Sequence, residues 1–195
     1  MTGAAESHEA KYIPYPKNPI IVQIGGHRVP EYVSPEETHK HILTLSEKIK
    51  FNDFEAALVN LQGGYWLFNE LLKIKGRINI PLRMIEYHRP QGGFGANITV
   101  PIPEEFRGRK CLVIDDIKDT AGVLREIMFG LSPNSLAAVV VDKKIKKIHV
   151  PNVIAAMELE ERWLGGCGMN PGIGDDEQVF RDYGGIIVKP TSSLF

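Results

Sequence analysis

The hydrophobic residues of the chain form short apolar runs that alternate with stretches of helical periodicity. The apolar runs, which predict strands, lie at 20–24, 56–61, 80–87, 111–114, 136–141 and 185–188. Apolar residues at helical spacing predict helices over 35–50, 65–73 and 120–129. Strands that are apolar throughout and separated by helices are typical of a parallel sheet covered on both faces. We therefore expect one α/β domain over residues 1–195.

Turn-forming residues separate these elements. Ser34 and Pro35, followed by two acidic residues, predict the start of the first helix. Residues 1–19 contain three prolines and no periodicity, so we expect a loosely held lead-in there. Residues 88–97 are rich in glycine and predict a long loop.

Composition and charge narrow the class of protein. Hydrophobic residues make up 43% of the chain and charged residues 24%, as in ordinary globular proteins. A net charge of -1 argues against a nucleic-acid partner, which would require a basic surface. The chain shows no secretory signal, no apolar run of the roughly 18 residues that a membrane span needs, and no paired cysteine motif. We expect a soluble, cytoplasmic protein without a membrane or nucleic-acid partner.

An acidic turn follows the predicted strand at 111–114. Asp115 and Asp116 come directly after it, and residues 119–122 (DTAG) open a helix. Ligands of open α/β sheets bind at the carboxyl ends of strands, and a helix N-terminus binds phosphate through its unpaired N–H groups. Carboxylates beside such a site can bind a sugar diol, directly or through Mg²⁺. An isolated pair of acids would instead be interpreted as a helix cap.

The whole segment 111–124, CLVIDDIKDTAGVL, resembles the phosphoribosyl diphosphate (PRPP) signature of type I phosphoribosyltransferases. The resemblance implies that Asp115 and Asp116 hold the ribose hydroxyls. It implies that the 5′-phosphate is bound by Asp119, Thr120, Ala121, Gly122 and Val123. It also makes Asp119 the catalytic residue, a general base or hydrogen-bond acceptor at the purine N7. Ala121 stands where the family has glycine, and Val123 replaces a hydroxyl residue that would bond the phosphate.

Two further segments resemble pyrophosphate-binding parts of hypoxanthine-guanine phosphoribosyltransferases. Residues 61–72, LQGGYWLFNELL, resemble their pyrophosphate loop and imply that Gln62, Gly63 and Gly64 bind pyrophosphate, with Gln62 in place of a lysine. A Gly-Gly pair alone would indicate only a tight turn. Residues 180–182, Phe-Arg-Asp, resemble a segment whose arginine, here Arg181, binds pyrophosphate through its guanidinium.

The remaining candidate residues concern the metal and the base. Asn170 stands in place of a family aspartate associated with Mg²⁺, so the implied metal ligands are Asp115, Asp116 and Asn170. Lys143 corresponds to the lysine that contacts the 6-oxygen of the purine. Trp163 corresponds to an aromatic residue that stacks on the purine ring, and Leu164 offers backbone groups to the base edge. The alternative interpretations are that Lys143 belongs to a solvated basic turn over residues 143–147, and that Trp163 is a core or lid residue rather than a ligand contact.

Together these resemblances imply a type I phosphoribosyltransferase fold, a mostly parallel sheet flanked by helices with a small hood from parts of 1–50 and 150–185. The implied reaction is purine salvage: phosphoribose passes from PRPP to hypoxanthine or guanine, with Mg²⁺, giving the nucleoside 5′-monophosphate and pyrophosphate. The partners are PRPP and a nucleobase, and we expect a homo-oligomer, a dimer or tetramer. The departures at Gln62, Val123 and Asn170 leave open a different acceptor base, or a regulator that binds PRPP or a nucleotide without turnover. A Rossmann dinucleotide-binding protein is disfavoured because no GxGxxG motif follows the first strand.

Overall fold

Two sheets organise the described parts of the chain, which in this computed structural model are residues 10–61, 63–86, 102–119, 122–143, 150–170 and 177–189. The strands are β1 (Lys11–Ile13), β2 (Ile21–Ile24), β3 (His27–Val33), β4 (Ala56–Asn60), β5 (Leu82–Ile85), β6 (Cys111–Lys118), β7 (Leu136–Asp142), β8 (Val153–Leu159), β9 (Leu164–Gly165) and β10 (Ile186–Val188). The helices are α1 (Pro35–Lys48), α2 (Gly64–Lys75), α3 (Gly122–Phe129) and α4 (Glu177–Asp182).

The larger sheet has six strands in the order β1-β8-β7-β6-β4-β5, and every pair in it is parallel. The smaller sheet, β2-β3-β10-β9, is antiparallel. The prediction of a parallel sheet flanked by helices is therefore confirmed.

The central strands are buried on both faces, which explains their continuous apolar runs. On one face, Leu112 and Ile114 of β6 pack in a cluster with residues of α1 and α2. On the other face, Cys111 and Val113 pack with residues of α3. The helices α2 and α3 therefore lie on opposite faces of β6.

Local signals explain where α1 and α2 begin and end. Ser34 caps α1, because its side chain accepts a hydrogen bond from the backbone N–H of Glu37 at 3.2 Å. The predicted helix 35–50 ends at Lys48. Gly76 terminates α2 with a positive φ of 74°, which glycine adopts without strain.

Several predicted boundaries change. The strand predicted over 111–114 continues to Lys118, because β6 stays paired with β7 as far as Lys118 and Asp142. The expected loose lead-in is wrong for β1, which adds a parallel edge strand beside β8. A three-residue strand carries too little pattern to be recognised from sequence. The predicted loop at 88–97 lies outside the described residues.

No helix within the described ranges is long and apolar enough to cross a membrane. Cys111 and Cys167 are both buried free thiols, and burial raises the pKa of Cys111 to about 11.

Candidate functional site

The candidate site lies where β4, β6 and β7 end, at the carboxyl edge of the parallel sheet. Asn60 is the last residue of β4, and its side-chain amide donates a hydrogen bond of 2.8 Å to Oδ1 of Asp115 on β6. The backbone N–H of Asp116 donates to the same oxygen at 2.9 Å. Asp115 is only 4% exposed. Its carboxyl group is thus fixed within the sheet edge by two donors.

The electrostatics of the two acids follow from this burial. Burial raises the pKa of Asp115 well above its usual range, and the adjacent charge of Asp116 raises it further. Burial also raises the pKa of Asp116, although a hydrogen bond from Asp115 and the positive charge of Arg181 act in the opposite direction. Burial and the neighbouring carboxylate therefore make Asp115 bind a proton more tightly than an exposed carboxyl group would.

The Gly-Gly turn that opens α2 packs directly against the acids. A Cβ atom at Gly63 would overlap with the carboxylate of Asp116, and one at Gly64 would overlap with the backbone oxygen of Ile114. Both positions need glycine because the two chain segments approach this closely. The structure thus brings together the predicted pyrophosphate turn and the predicted ribose-binding acids.

Arg181 approaches the same turn from α4. Its Nη1 donates a hydrogen bond of 2.7 Å to the carbonyl oxygen of Gly168. A cleft of about 230 Å³ opens between α2 and α4, and Gly63, Trp66, Gly168 and Arg181 are among its lining residues. Gly63 of the predicted pyrophosphate turn and Arg181 therefore line one cavity.

Two ion pairs connect the ends of β6 and β7. Lys118 Nζ lies 2.7 Å from Asp142 Oδ2. Next to it, Lys143 Nζ lies 3.3 Å from Asp119 Oδ1, with 8% and 31% of the two side chains exposed. The predicted catalytic carboxylate and the predicted base-binding lysine are therefore neighbours, although 23 residues separate them in the sequence.

Trp163 and Leu164 differ in environment. Trp163 is 62% exposed, and the ammonium group of Lys189 lies 5.5 Å from the centre of its ring. The side chain of Leu164 is buried, and its residue pairs with Val188 in the smaller sheet. Only the main chain of Leu164 is therefore suited to contact a ligand.

The other predicted site residues divide into three groups. Gly122 begins α3 with open space around it, whereas the side chain of Val123 is buried in the core. Asn170 follows the turn at residues 166–169. Gln62, Thr120 and Ala121 lie outside the described residues. Within the described ranges, no group of three or more His, Cys, Asp or Glu side chains could hold a metal ion.

Sequence reasoning missed three parts of this site. Asn60 carried a usable signal, since it is a polar residue that ends a buried apolar run. The pairing of Lys118 with Asp142 carried none, because it depends on the register between two strands. Gly168 also carried none, because the carbonyl that forbids a side chain there belongs to the distant Gly63.

The six-stranded parallel sheet, flanked by helices and accompanied by a smaller antiparallel sheet, has the fold of the type I phosphoribosyltransferases. A hypoxanthine-guanine phosphoribosyltransferase from Bacillus anthracis matches with a TM-score of 0.63 and 15% identity over 88% of this chain and 99% of its own. A Staphylococcus aureus hypoxanthine phosphoribosyltransferase gives 0.64 and 16% over 82% and 91%. A Trypanosoma cruzi hypoxanthine phosphoribosyltransferase gives 0.63 and 18% over 82% and 94%. At these identities the likeness establishes the fold. No protein-family model and no curated protein matches the sequence.

Proposed function

We propose that this protein transfers phosphoribose from PRPP to a ring nitrogen of a 6-oxopurine, such as hypoxanthine or guanine, and releases pyrophosphate. The observation that carries the proposal is the pairing of Asp119 with Lys143 at 3.3 Å, at the carboxyl ends of neighbouring parallel strands. This edge of a parallel sheet is where α/β proteins bind small ligands.

The Asp119–Lys143 pair supplies complementary groups for a 6-oxopurine. Such a base carries N7 and the 6-oxygen side by side on one edge. A carboxylate accepts a hydrogen bond from a protonated N7, and an ammonium group donates to the 6-oxygen. We assign these roles to Asp119 and Lys143. Trp163 lies exposed on the smaller sheet's side and supplies an aromatic face for the base.

The phosphoribosyl diphosphate would bind along the turns beside the acids. We assign the ribose hydroxyls to Asp115 and Asp116. Asp116 has the more direct role, because Oδ1 of Asp115 already accepts hydrogen bonds from Asn60 and from the N–H of Asp116. Arg181 and the main chain of Gly63 and Gly64 would bind the pyrophosphate, since guanidinium and backbone N–H groups match phosphate oxygens.

Mg²⁺ fits this site as an ion held jointly with the substrate. Protein sites for Mg²⁺ beside phosphates use one or two carboxylates and leave the remaining positions to phosphate oxygens and water. Asp116 offers one such carboxylate at the Gly63 turn, and Asp115 and Asn170 are the further candidate ligands. The ion would supply positive charge near the leaving pyrophosphate.

The chemistry would be largely positional and electrostatic. The base nitrogen forms a bond to C1′ of the ribose while the bond from C1′ to the pyrophosphate oxygen breaks. Asp119 accepts the proton from N7, and Arg181 stabilises the negative charge of the departing pyrophosphate. Purine salvage is the physiological role that this reaction would serve.

The test is an assay of pyrophosphate release. The protein is incubated with PRPP, Mg²⁺ and a panel of purines and pyrimidines, and PRPP binding is measured separately by calorimetry. We expect release with hypoxanthine or guanine, and a loss of roughly 10²- to 10⁴-fold in Asp119→Asn, because the variant lacks the proton acceptor. Asp53→Asn, at an exposed position away from the site, should keep the wild-type rate.

Other results would assign a different function. Release with another base only would replace the acceptor in the proposal. PRPP binding without release for any base would support the regulator and contradict catalysis. Equal rates for Asp119→Asn and the wild type would remove Asp119 from the reaction.

A further inference from the structure

The turn at residues 166–169, GCGM, has an unusual backbone. Gly166, Cys167 and Gly168 all have positive φ, at 90°, 52° and 93°. The turn is closed by hydrogen bonds in both directions between Gly166 and Met169, of 3.2 and 2.9 Å. Cys167 is a non-glycine residue in the left-handed region, which costs free energy and persists only where the surroundings hold it.

Cys167 connects this turn by hydrogen bonds to the segment that follows α4. Its backbone N–H donates a hydrogen bond of 2.7 Å to the carbonyl oxygen of Tyr183. Its thiol lies 3.2 Å from the carbonyl oxygen of Gly184, to which it donates, and the side chain is fully buried. The strained residue Cys167 is therefore held in place by hydrogen bonds from both its backbone and its side chain.

Gly168 touches the two parts of the site to which pyrophosphate binding was assigned. Its carbonyl oxygen accepts the bond from Arg181 Nη1, and its N–H donates to the backbone oxygen of Arg181 at 2.9 Å. On its other side, a Cβ atom would overlap with the carbonyl oxygen of Gly63 and lie 3.2 Å from Cβ of Trp66.

We propose that Gly168 is a positioning residue for the pyrophosphate group, which sets the Gly63 turn and the Arg181 guanidinium at a fixed distance from one another. This inference rests on the proposed function. A side chain at 168 would push away the Gly63 carbonyl, and with it the main chain of a residue that lines the cleft. The same displacement would move the oxygen that orients Arg181. A misplacement of about 1 Å at a binding group can cost 10²-fold in rate.

The experiment compares Gly168→Ala with Gly76→Ala in the full-length protein. Gly76 also has a positive φ, of 74°, but a Cβ atom there meets nothing within 4 Å. Both variants therefore carry backbone strain, and only Gly168→Ala disturbs the Gly63 turn. Binding of PRPP and of inorganic pyrophosphate is measured by calorimetry, and KM is measured for PRPP and for the base.

For Gly168→Ala we expect roughly 10- to 100-fold weaker binding of both diphosphates, a matching rise in KM for PRPP, and an unchanged KM for the base. Gly76→Ala should bind as the wild type does. Wild-type affinity in a folded Gly168→Ala protein would overturn the inference. A wild-type protein that binds neither diphosphate would overturn the proposed function, and this inference with it.

A second pair of variants decides the matter if Gly168→Ala does not fold. Cys167→Ala removes the bond from the thiol to Gly184 and adds no atom, whereas Cys167→Ser keeps a donor at the same place. The inference requires weaker pyrophosphate binding in Cys167→Ala and its recovery in Cys167→Ser. Equal affinities in the two variants would contradict it.

Discussion

Asp115 is a carboxyl group that the fold holds under conditions unfavourable to its charge. It is buried beside a second carboxylate, and the hydrogen bonds from Asn60 and from the N–H of Asp116 offset only part of that cost. A buried carboxyl with a raised pKa binds its proton more tightly in the folded state than in the unfolded state. The stability linked to Asp115 is thus fully present below the pKa of the unfolded chain, and it is lost as the pH rises through the raised pKa.

Asp115→Asn should therefore stabilise the protein at neutral and higher pH. The amide keeps the shape of the carboxyl group and still accepts the bond from Asn60, but it carries no charge. We expect a gain in the free energy of unfolding, because the amide removes the charge that burial and the neighbouring Asp116 disfavour. Urea unfolding at several pH values should show the gain shrinking as the pH falls below the raised pKa. A variant less stable than the wild type at every pH would contradict this account.

At the scale of elements, two ion pairs join the carboxyl ends of β6 and β7. Lys118 and Asp142 are register partners, and each directly precedes a residue of the Asp119–Lys143 pair. The backbone N–H of Lys143 also donates to the carbonyl oxygen of Lys118 at 3.1 Å. The first pair thus fixes the strand ends from which the candidate catalytic pair projects.

Removing one member of the Lys118–Asp142 pair should cost more than removing both. Lys118→Met or Asp142→Leu leaves a charge in a poorly solvated place, so we expect each to lose about 1–3 kcal/mol of stability. The double variant should lose less than either single variant, because it leaves no charge behind. A double-mutant cycle by urea unfolding measures this coupling.

The exposed pair of Glu36 and Lys40 on α1 is the control and should show a smaller coupling, because solvent screens it. Additive effects at positions 118 and 142 would contradict the prediction.

How much could be predicted from the sequence depends on where each signal lies. The central strands β4, β6 and β7 were predicted because burial on both faces leaves a continuous apolar run. The sequence predicts that β6 ends at residue 114, because the acidic residues Asp115 and Asp116 are typical of the start of a turn. In the structure they stay in the strand, because partners across the sheet continue the ladder.

The candidate site divides in the same way. Asp119 could be selected as a candidate because it belongs to a motif whose residues are consecutive in the sequence. Asn60 could have been selected as a polar residue at the end of a buried run, but its pairing with Asp115 could not, and Gly168 carries no signal at all, because both contacts join residues more than 50 positions apart. Close approaches of this kind arise from the packing of whole elements, which no local pattern records.

At the scale of the whole molecule, the question is what joins the smaller sheet to the larger one. Tyr32 on β3 is buried, and its hydroxyl group donates a hydrogen bond of 2.8 Å to the carbonyl oxygen of Ile13 on β1. The hydroxyl oxygen of Tyr32 in turn accepts a hydrogen bond of 3.2 Å from the backbone N–H of Glu160, which follows β8. The ring of Tyr15 stacks edge-on against Tyr32 at 5.0 Å. One hydroxyl group thus bridges the small sheet and two neighbouring strands of the large sheet.

Tyr32→Phe should loosen this connection without changing the apolar packing. The variant leaves the carbonyl of Ile13 and the N–H of Glu160 without this partner in a partly buried place, so we expect a loss of about 1–3 kcal/mol in the free energy of unfolding. Tyr12→Phe is the matched control, because the Tyr12 side chain is exposed and its hydroxyl makes only a long bond of 3.4 Å to Glu160. It should change stability by much less.

Hydrogen exchange should place the lost protection of Tyr32→Phe in β1 and in the segment after β8, since those are the segments that the hydroxyl holds. If Tyr32→Phe is as stable as the control and exchanges no faster there, the hydroxyl does not join the sheets, and the apolar contact between Tyr15 and Tyr32 must do so instead.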